Sequence, residues 1–320
     1  MTNDNVIPPG FRDLIHRLNQ RCRAEFDRAE RLQAALDDIK GSRAWMLFRW
    51  LRSLRRFFKP VVDDDDPWSQ AGAANATWLA APAGVLPATL PKISILIPFK
   101  DQLGLLRNCL RSLRRGTYRR LEIVLLDNGS TTPEMLCYLK RMRRRRGFRV
   151  VACPGDFNFA RICNVGSQHA SGNYLLFLNN DIEVLSSDWL ERMIALAESP
   201  QVGVVGSTLL YPDGTIQHAG IEQLANGLWR HVYRGSTPDR AGPEFQHVRC
   251  VPAVTAACML VSRERFFELG GFDERYPVTH NDVDLCRRAR ERGWLVVVTP
   301  HARLMHFESL SRGYSRLPKS

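Results

Sequence analysis

Leu176-Phe177-Leu178-Asn179-Asn180-Asp181 is the stretch on which the fold turns. An apolar run passes straight into a polar triplet ending in a carboxylate, the pattern of a buried strand that delivers its last residues to a surface. The run begins at Tyr174, and the same arrangement recurs upstream. Residues 93–97 lead to Pro98, residues 121–126 lead into Asp127-Asn128-Gly129-Ser130, and residues 148–153 form a third run. Between and after them, apolar side chains return at helical spacing over residues 103–115, 133–146, 159–170 and 188–198. Strands alternating with helices predict an α/β domain with a mostly parallel central sheet and helices on both faces. In such sheets ligands collect at the carboxyl ends of strands. Pro98, Asp127 and Asp181 all fall at those ends. The second half is less regular, with a strand predicted near residues 251–261 and helices near residues 263–269 and 282–292.

The chain has 320 residues, 44% of them hydrophobic, enough for a sizeable core. Its net charge of +12 directs attention to anionic partners: nucleic acid, an anionic membrane or an anionic substrate. Nucleic acid is the poorest of these, because no DNA- or RNA-binding motif accompanies the charge. Eight cysteines without a Cys-x-x-Cys pair read as reduced, mostly buried thiols of a cytosolic protein. The first residues carry no apolar signal core, and no uncharged apolar run reaches the ~18 residues of a spanning helix.

Residues 11–40 have mixed charge and helical spacing, whereas residues 43–59 carry six bases and no acid. On a helical wheel Leu47, Trp50, Leu51, Leu54, Phe57 and Phe58 share one face, and Arg49, Arg52, Arg55, Arg56 and Lys59 the other. That pattern suits either an interfacial membrane helix or a helix docked on its own catalytic domain. Acidic Asp63–Asp66 and Ala/Pro-rich sequence follow. The expected organisation is therefore a helical region over 1–60, a linker over 61–91, one domain over 92–313 and a tail over 314–320.

Two further strings carry chemistry. Asn281-Asp282-Val283-Asp284 opens a predicted helix, and two acids two apart on a helix diverge, so one faces a site while the other caps or pairs. His306 ends a short apolar stretch after Pro300. A third string, Lys140 to Arg149 (KRMRRRRGFR), is the densest positive charge in the chain and reads as a solvated helix end or a contact for anionic lipid.

Taken in order, LLFLNNDIEV (175–184), YPDGTIQHAG (211–220), AACMLV (256–261), GGFDE (270–274), NDVDLCR (281–287) and LMH (304–306) resemble family 2 glycosyltransferases of the GT-A type, especially bacterial rhamnosyltransferase-like members that assemble polysaccharide. The resemblance covers roughly two thirds of the chain. It implies a single Rossmann-like domain, a nucleotide-diphospho-sugar donor, and a glycan or lipid-linked acceptor. It also implies Mg²⁺ or Mn²⁺ on Asp181 and His306. By the same resemblance Asp282 is the general base of an inverting displacement, with Asp284 as the alternative. Pro98, Lys100, Asp127, Asn128, Asn158, Asn164, Asn179, Asn180 and Asp181 match positions around the nucleotide sugar, and His218 lies near the acceptor. Members often carry Asp-x-Asp where this chain has Asn179 and Asp181, one carboxylate fewer for the metal. The implied setting is surface polysaccharide biosynthesis, with the protein cytoplasmic or peripheral on the inner face of the cell membrane. A catalytically silent sugar-nucleotide- or glycan-binding module is the alternative: Asn179 speaks for it, Asp282 and His306 against it. A nucleotidyltransferase on a related sheet is a poorer reading, because no Gly-rich phosphate loop follows the first strand.

Overall fold

The computed structural model describes residues 86–224 and 228–307. The predicted helices over 11–40 and 43–59, most of the linker and the tail lie outside the described residues.

The elements run β1 (Ile93–Phe99), α1 (Leu103–Leu113), β2 (Leu121–Asp127), α2 (Pro133–Met142), β3 (Phe148–Ala152), α3 (Phe159–Gln168), β4 (Tyr174–Leu178), β5 (Ile182–Val184), α4 (Trp189–Ala197) and β6 (Val202–Leu210). They continue through β7 (Ile216–His218), β8 (Ile221–Gln223), β9 (Trp229–His231), β10 (Arg249–Cys250), β11 (Cys258–Ser262), α5 (Arg263–Glu268), α6 (Asn281–Glu291) and β12 (Leu295–His306). All seven residues of β1 and all nine of β6 are buried, which is why neither shows the apolar–polar alternation of a strand with one solvated face.

The sheet order is β10-β12-β6-β11-β4-β1-β2-β3, with β5 on β12 and β7 on β6. Strands β3, β2, β1 and β4 are mutually parallel. β11 enters antiparallel between β4 and β6, and β12 lies parallel to β6. The chain winds outward from β1 to β3, then returns to place β4 on the other side of β1. That reversal opens a crevice at the carboxyl ends of β1 and β4. α1 and α2 pack on one face of the sheet, and α3, α5 and α6 on the other.

Two elements differ from the sequence expectation. α2 stops at Met142 instead of reaching residue 146. Four consecutive arginines, Arg143 to Arg146, repel along a helix, and Gly147 turns the chain at φ 80°. The strand expected over 251–261 is two pieces, Arg249–Cys250 and Cys258–Ser262. Pro252 cannot donate to a ladder, so the chain between them makes only one isolated bridge, Ala253 to Ile221.

Two buried contacts brace the halves. Phe177 of β4 meets Phe266 and Phe272 at ring centroid distances of 5.0 and 4.8 Å, holding the turn before α6 against the sheet. At the amino ends of the strands Glu122 accepts from Lys92 Nζ (2.8 Å), Ser94 Oγ (2.5 Å), and Ser171 N (2.5 Å) and Oγ (2.7 Å). Gly172 is required there, since a Cβ would lie 2.6 Å from the Ser94 backbone nitrogen. Burial opposes ionisation of Glu122, but the Lys92, Ser171 and Ser94 donors outweigh it and lower its pKa to about 2. A depressed carboxyl stabilises the fold above its unfolded pKa near 4.5, and that stability is lost as pH falls towards 2. Glu122→Gln should therefore cost on the order of 3 kcal/mol at neutral pH and flatten the stability curve over that acid window in denaturant titrations. An unchanged acid limb would contradict the assignment.

Candidate active site

A cleft of about 820 Å³ opens at the carboxyl ends of β1 and β4, within the range that holds a nucleotide-sized ligand. One wall is built from the loops after β1, β2 and β3. Pro98 and Lys100 line it beside Asn128, and Gly155, Asp156 and Phe157 continue it. The loops are tied by Asp101, whose carboxylate accepts from Thr131 N (2.9 Å), Thr132 N (3.0 Å) and Thr132 Oγ1 (3.0 Å). These bonds, with the Thr132 backbone foremost, hold the Asp101 carboxyl below its usual range. Its backbone sits in the left-handed region at φ 51°, an unfavourable conformation for a residue with a Cβ.

The floor is Asn179, Asn180 and Asp181 after β4. Asp181 meets His306 because β12 pairs antiparallel with β5, placing His306 opposite Ile182. His306 Nε2 lies 3.2 Å from Asp181 Oδ1. Its other nitrogen, Nδ1, is 2.7 Å from Gln217 Oε1. An amide oxygen only accepts, so Nδ1 carries the proton in a neutral ring, and Nε2 presents a lone pair. Asn179 Nδ2 stands 3.3 Å from that same Nε2 as a donor. Asp181 Oδ1 is buried and has no hydrogen-bond partner. With the ring neutral, the approach at 3.2 Å is a contact of two acceptors, which a positive charge between them, a proton or a metal cation, would relieve. Among the described residues no group of three or more His, Cys, Asp or Glu side chains comes together to hold a metal.

The opposite wall comes from α6 and from β7–β9. Asp282 lines the cleft, its Oδ2 accepting from Ala256 N at 3.3 Å and its Oδ1 from Val283 N at 2.8 Å. Asp284 points away. It pairs with Arg287 (2.9 Å) and Arg288 (2.7 Å), and Arg288 in turn donates to the Gly271 carbonyl. The helix start is strained, with His280 at φ 68° in the cleft wall, and such outliers concentrate at functional sites.

Three positions read from the sequence as cleft residues are placed elsewhere. Asp127 is buried below the cleft and accepts from Ser130 N at 2.9 Å, closing the turn at Gly129. Asn158 caps α3 through the Arg161 backbone and donates to the Glu274 carbonyl. Asn164 bonds the backbone of Phe272 in both directions, at 2.9 Å each way, so it braces the turn before α6. All three side chains are engaged with the protein's own backbone and none lines the cleft. His218 also lies behind the wall. Burial, with His231 and Arg249 nearby, keeps its pKa well below the usual value. Its Nε2 faces the backbone N–H groups of Gly220 and Thr255, both at 3.4 Å, so its proton sits on Nδ1, 2.9 Å from His231 Nδ1. His231 and Trp229 do line the cleft, and no local signal marked them. Gln217 belonged to a string read as a polar strand after a turn; its partner His306 is 89 residues away.

The five buried cysteines and Cys250 are free; burial pushes Cys250 up to about 11 and Cys258 and Cys286 up to about 12, so these three are no thiolate nucleophiles at neutral pH.

An open α/β sheet with a reversed strand order, an Asn-Asn-Asp floor and a late His beside it defines a GT-A fold. The chain superposes on the crystal structure of GalNAc-T7 with UDP, GalNAc and Mn²⁺ with a TM-score of 0.57 at 20% identity, covering 69% of this chain and 44% of that one. It belongs to glycosyl transferase family 2, whose model matches residues 94–263. It is 39% identical over 234 residues to the O-antigen biosynthesis protein RfbC of Myxococcus xanthus, covering 72% of this chain but only 18% of that protein. It is 26% identical over 236 residues to the N-acetylglucosaminyl-diphospho-decaprenol L-rhamnosyltransferase of Mycobacterium tuberculosis, covering 65% of this chain and 73% of that one.

Proposed function

We propose that this chain is a metal-dependent, inverting glycosyltransferase. It would move a sugar from a nucleotide-diphospho-sugar to a glycan or lipid-linked acceptor in surface polysaccharide assembly. The observation that carries this reading is the buried, unpartnered Asp181 Oδ1 facing the lone pair of His306, with Asp282 across the same cleft.

Asp181 and His306 would hold Mg²⁺ or Mn²⁺; the structurally similar GalNAc-T7 was crystallised with UDP, GalNAc and Mn²⁺. A cation there neutralises the charge that develops on a departing diphosphate. Two protein ligands suffice when substrate phosphates and water supply the rest, which is the usual arrangement for such ions. Lys100, exposed on the cleft wall, offers a further positive charge to phosphate. Asn179 and Asn180 supply amide groups for ribose or phosphate oxygens. Asp282 accepts the proton of the acceptor hydroxyl as that oxygen bonds to the anomeric carbon. The bond from that carbon to the diphosphate oxygen breaks, and the nucleoside diphosphate leaves. A single displacement inverts the anomeric configuration.

RfbC and the rhamnosyltransferase are named for O-antigen biosynthesis and for transfer to a diphospho-decaprenol acceptor, which supports the polysaccharide setting. Among the described residues no helix is long and apolar enough to cross a membrane. A nucleotide-sugar panel with Mn²⁺ and candidate polyprenyl-diphosphate acceptors tests the reading. Acceptor-dependent release of nucleoside diphosphate is expected. Release of pyrophosphate would mark a nucleotidyltransferase, and donor binding without turnover on any acceptor would favour the silent module that Asn179 suggests.

A further inference from the structure

We propose that the outer face of α1 and α2 is a seat for an anionic lipid bilayer. The two helices lie side by side on one face of the sheet, because each crosses over between neighbouring parallel strands and both bury their apolar residues in one core. Their outward residues are basic and exposed. On α1 these are Arg107 and Arg111, continued just past its end by Arg114 and Arg115 at the spacing of a single helical stripe. On α2 they are Lys140 and Arg141, followed at once by exposed Arg143, Arg144, Arg145 and Arg146.

The charge from the two helices is one surface. Tyr138 on α2 is half-buried, and it feels Arg107 and Arg114 from α1 as well as Arg145. Between residues 107 and 149 the acids are Glu122, Asp127 and Glu134, and the first two are buried, leaving Glu134 alone exposed. Among the described residues no carboxylate pairs with any of these cations.

Local stability does not account for the cluster. One or two bases at a helix end satisfy the last carbonyls and the dipole. Four more arginines beyond Arg141 exceed that need and end the helix early. Arg107–Arg111 and Arg111–Arg115 are like-charge pairs four apart, which weaken α1. Such a surface is stable beside a diffuse sheet of negative charge. A bilayer fits better than a nucleic acid, because α1 and α2 carry no exposed aromatic for a base to stack on, while Leu136 stands 49% exposed on α2. Both helices start at the cleft end of the sheet and carry most of their charge towards the far end, so a bilayer seated there leaves the cleft open.

The inference is independent of the chemistry in the cleft. The test is co-sedimentation of the full chain with phosphatidylcholine vesicles, with and without phosphatidylglycerol, at low and high salt. Arg143→Glu, Arg144→Glu and Arg146→Glu together should weaken binding to the anionic vesicles by at least ~10²-fold, with circular dichroism unchanged. A second full-length variant, with Arg49, Arg52, Arg55, Arg56 and Lys59 all changed to Gln, isolates the other basic segment. The triple reversal should weaken binding in that background too. The inference is overturned if the wild type ignores anionic vesicles at low salt or if the triple reversal leaves binding unchanged. It is also overturned if a short DNA duplex binds more tightly than the vesicles under the same conditions.

Discussion

Asp282→Asn should leave nucleoside diphosphate binding unchanged and slow transfer by about 10²–10⁴-fold, the usual cost of losing a general base. The amide keeps the shape of the carboxylate, and its one oxygen can accept from Ala256 N or from Val283 N but not from both. The capacity to take a proton is removed at the cost of one local backbone contact. Asp284→Asn is the control, and its effect should fall on stability. Asp284 holds Arg287 and Arg288, and Arg288 anchors the carbonyls of Leu269 and Gly271. Breaking that set should cost on the order of 2 kcal/mol in chemical denaturation, with kcat changed far less than by Asp282→Asn. Acceptor-dependent turnover by both variants, beside isothermal titration with Mn²⁺ and the nucleoside diphosphate that the donor panel identifies, separates the roles. If Asp284→Asn loses turnover while folding normally and Asp282→Asn does not, the base is misassigned.

The second large effect is expected at Asp181. Asp181→Ala should lower the affinity for the nucleoside diphosphate that the donor panel identifies, in the presence of Mn²⁺, by at least ~10²-fold, since losing a ligand of the proposed cation should cost more than losing an outer partner. The fold should survive, because the strand contact of this residue is made by its backbone carbonyl to Phe307 N. Mn²⁺ binding followed by electron paramagnetic resonance reads the site without any turnover. Gln217→Leu should show a smaller loss, ~10-fold to 10²-fold, because it frees the ring of His306 without removing a ligand. Equal affinity of the wild type for that nucleoside diphosphate in chelator and in Mn²⁺ would sink the cation assignment.

Much of the fold was legible locally. The apolar runs at β1 and β4 are what two-sided burial demands, and each is found buried along its length, whereas β6, with Gly203, Gly206, Ser207 and Thr208 in it, did not stand out as a strand. Legibility failed where local pattern and neighbours disagree. Residues 251–261 look like one apolar strand, but Pro252 breaks the ladder and the flanking pieces pair with different partners, β12 on one side and β4 and β6 on the other. In the site, the divergence of Asp282 and Asp284 follows from helical spacing alone. The engagement of Asn158 and Asn164 does not, because an asparagine that braces a backbone and one that faces a ligand look the same in a string.

By itself, then, the sequence determined the alternating strands and helices from residue 93 to residue 198 and the strand ends that carry Pro98 and Asp181, since these depend on burial periodicity and turn residues within short windows. Only the tertiary structure decided which side chains share the cleft. Asp181 meets His306 across 125 positions because β5 and β12 pair in one register, and a shift of one residue would turn His306 to the other face of the strand. Gln217 and His231 sit on strands of local hairpins, β7 against β6 and β9 against β8, but the lone pair that His306 presents is set by the hydrogen bond its Nδ1 makes to Gln217, 89 residues away. Registers and tautomers are properties of contacts between distant segments, and no window of the chain contains them.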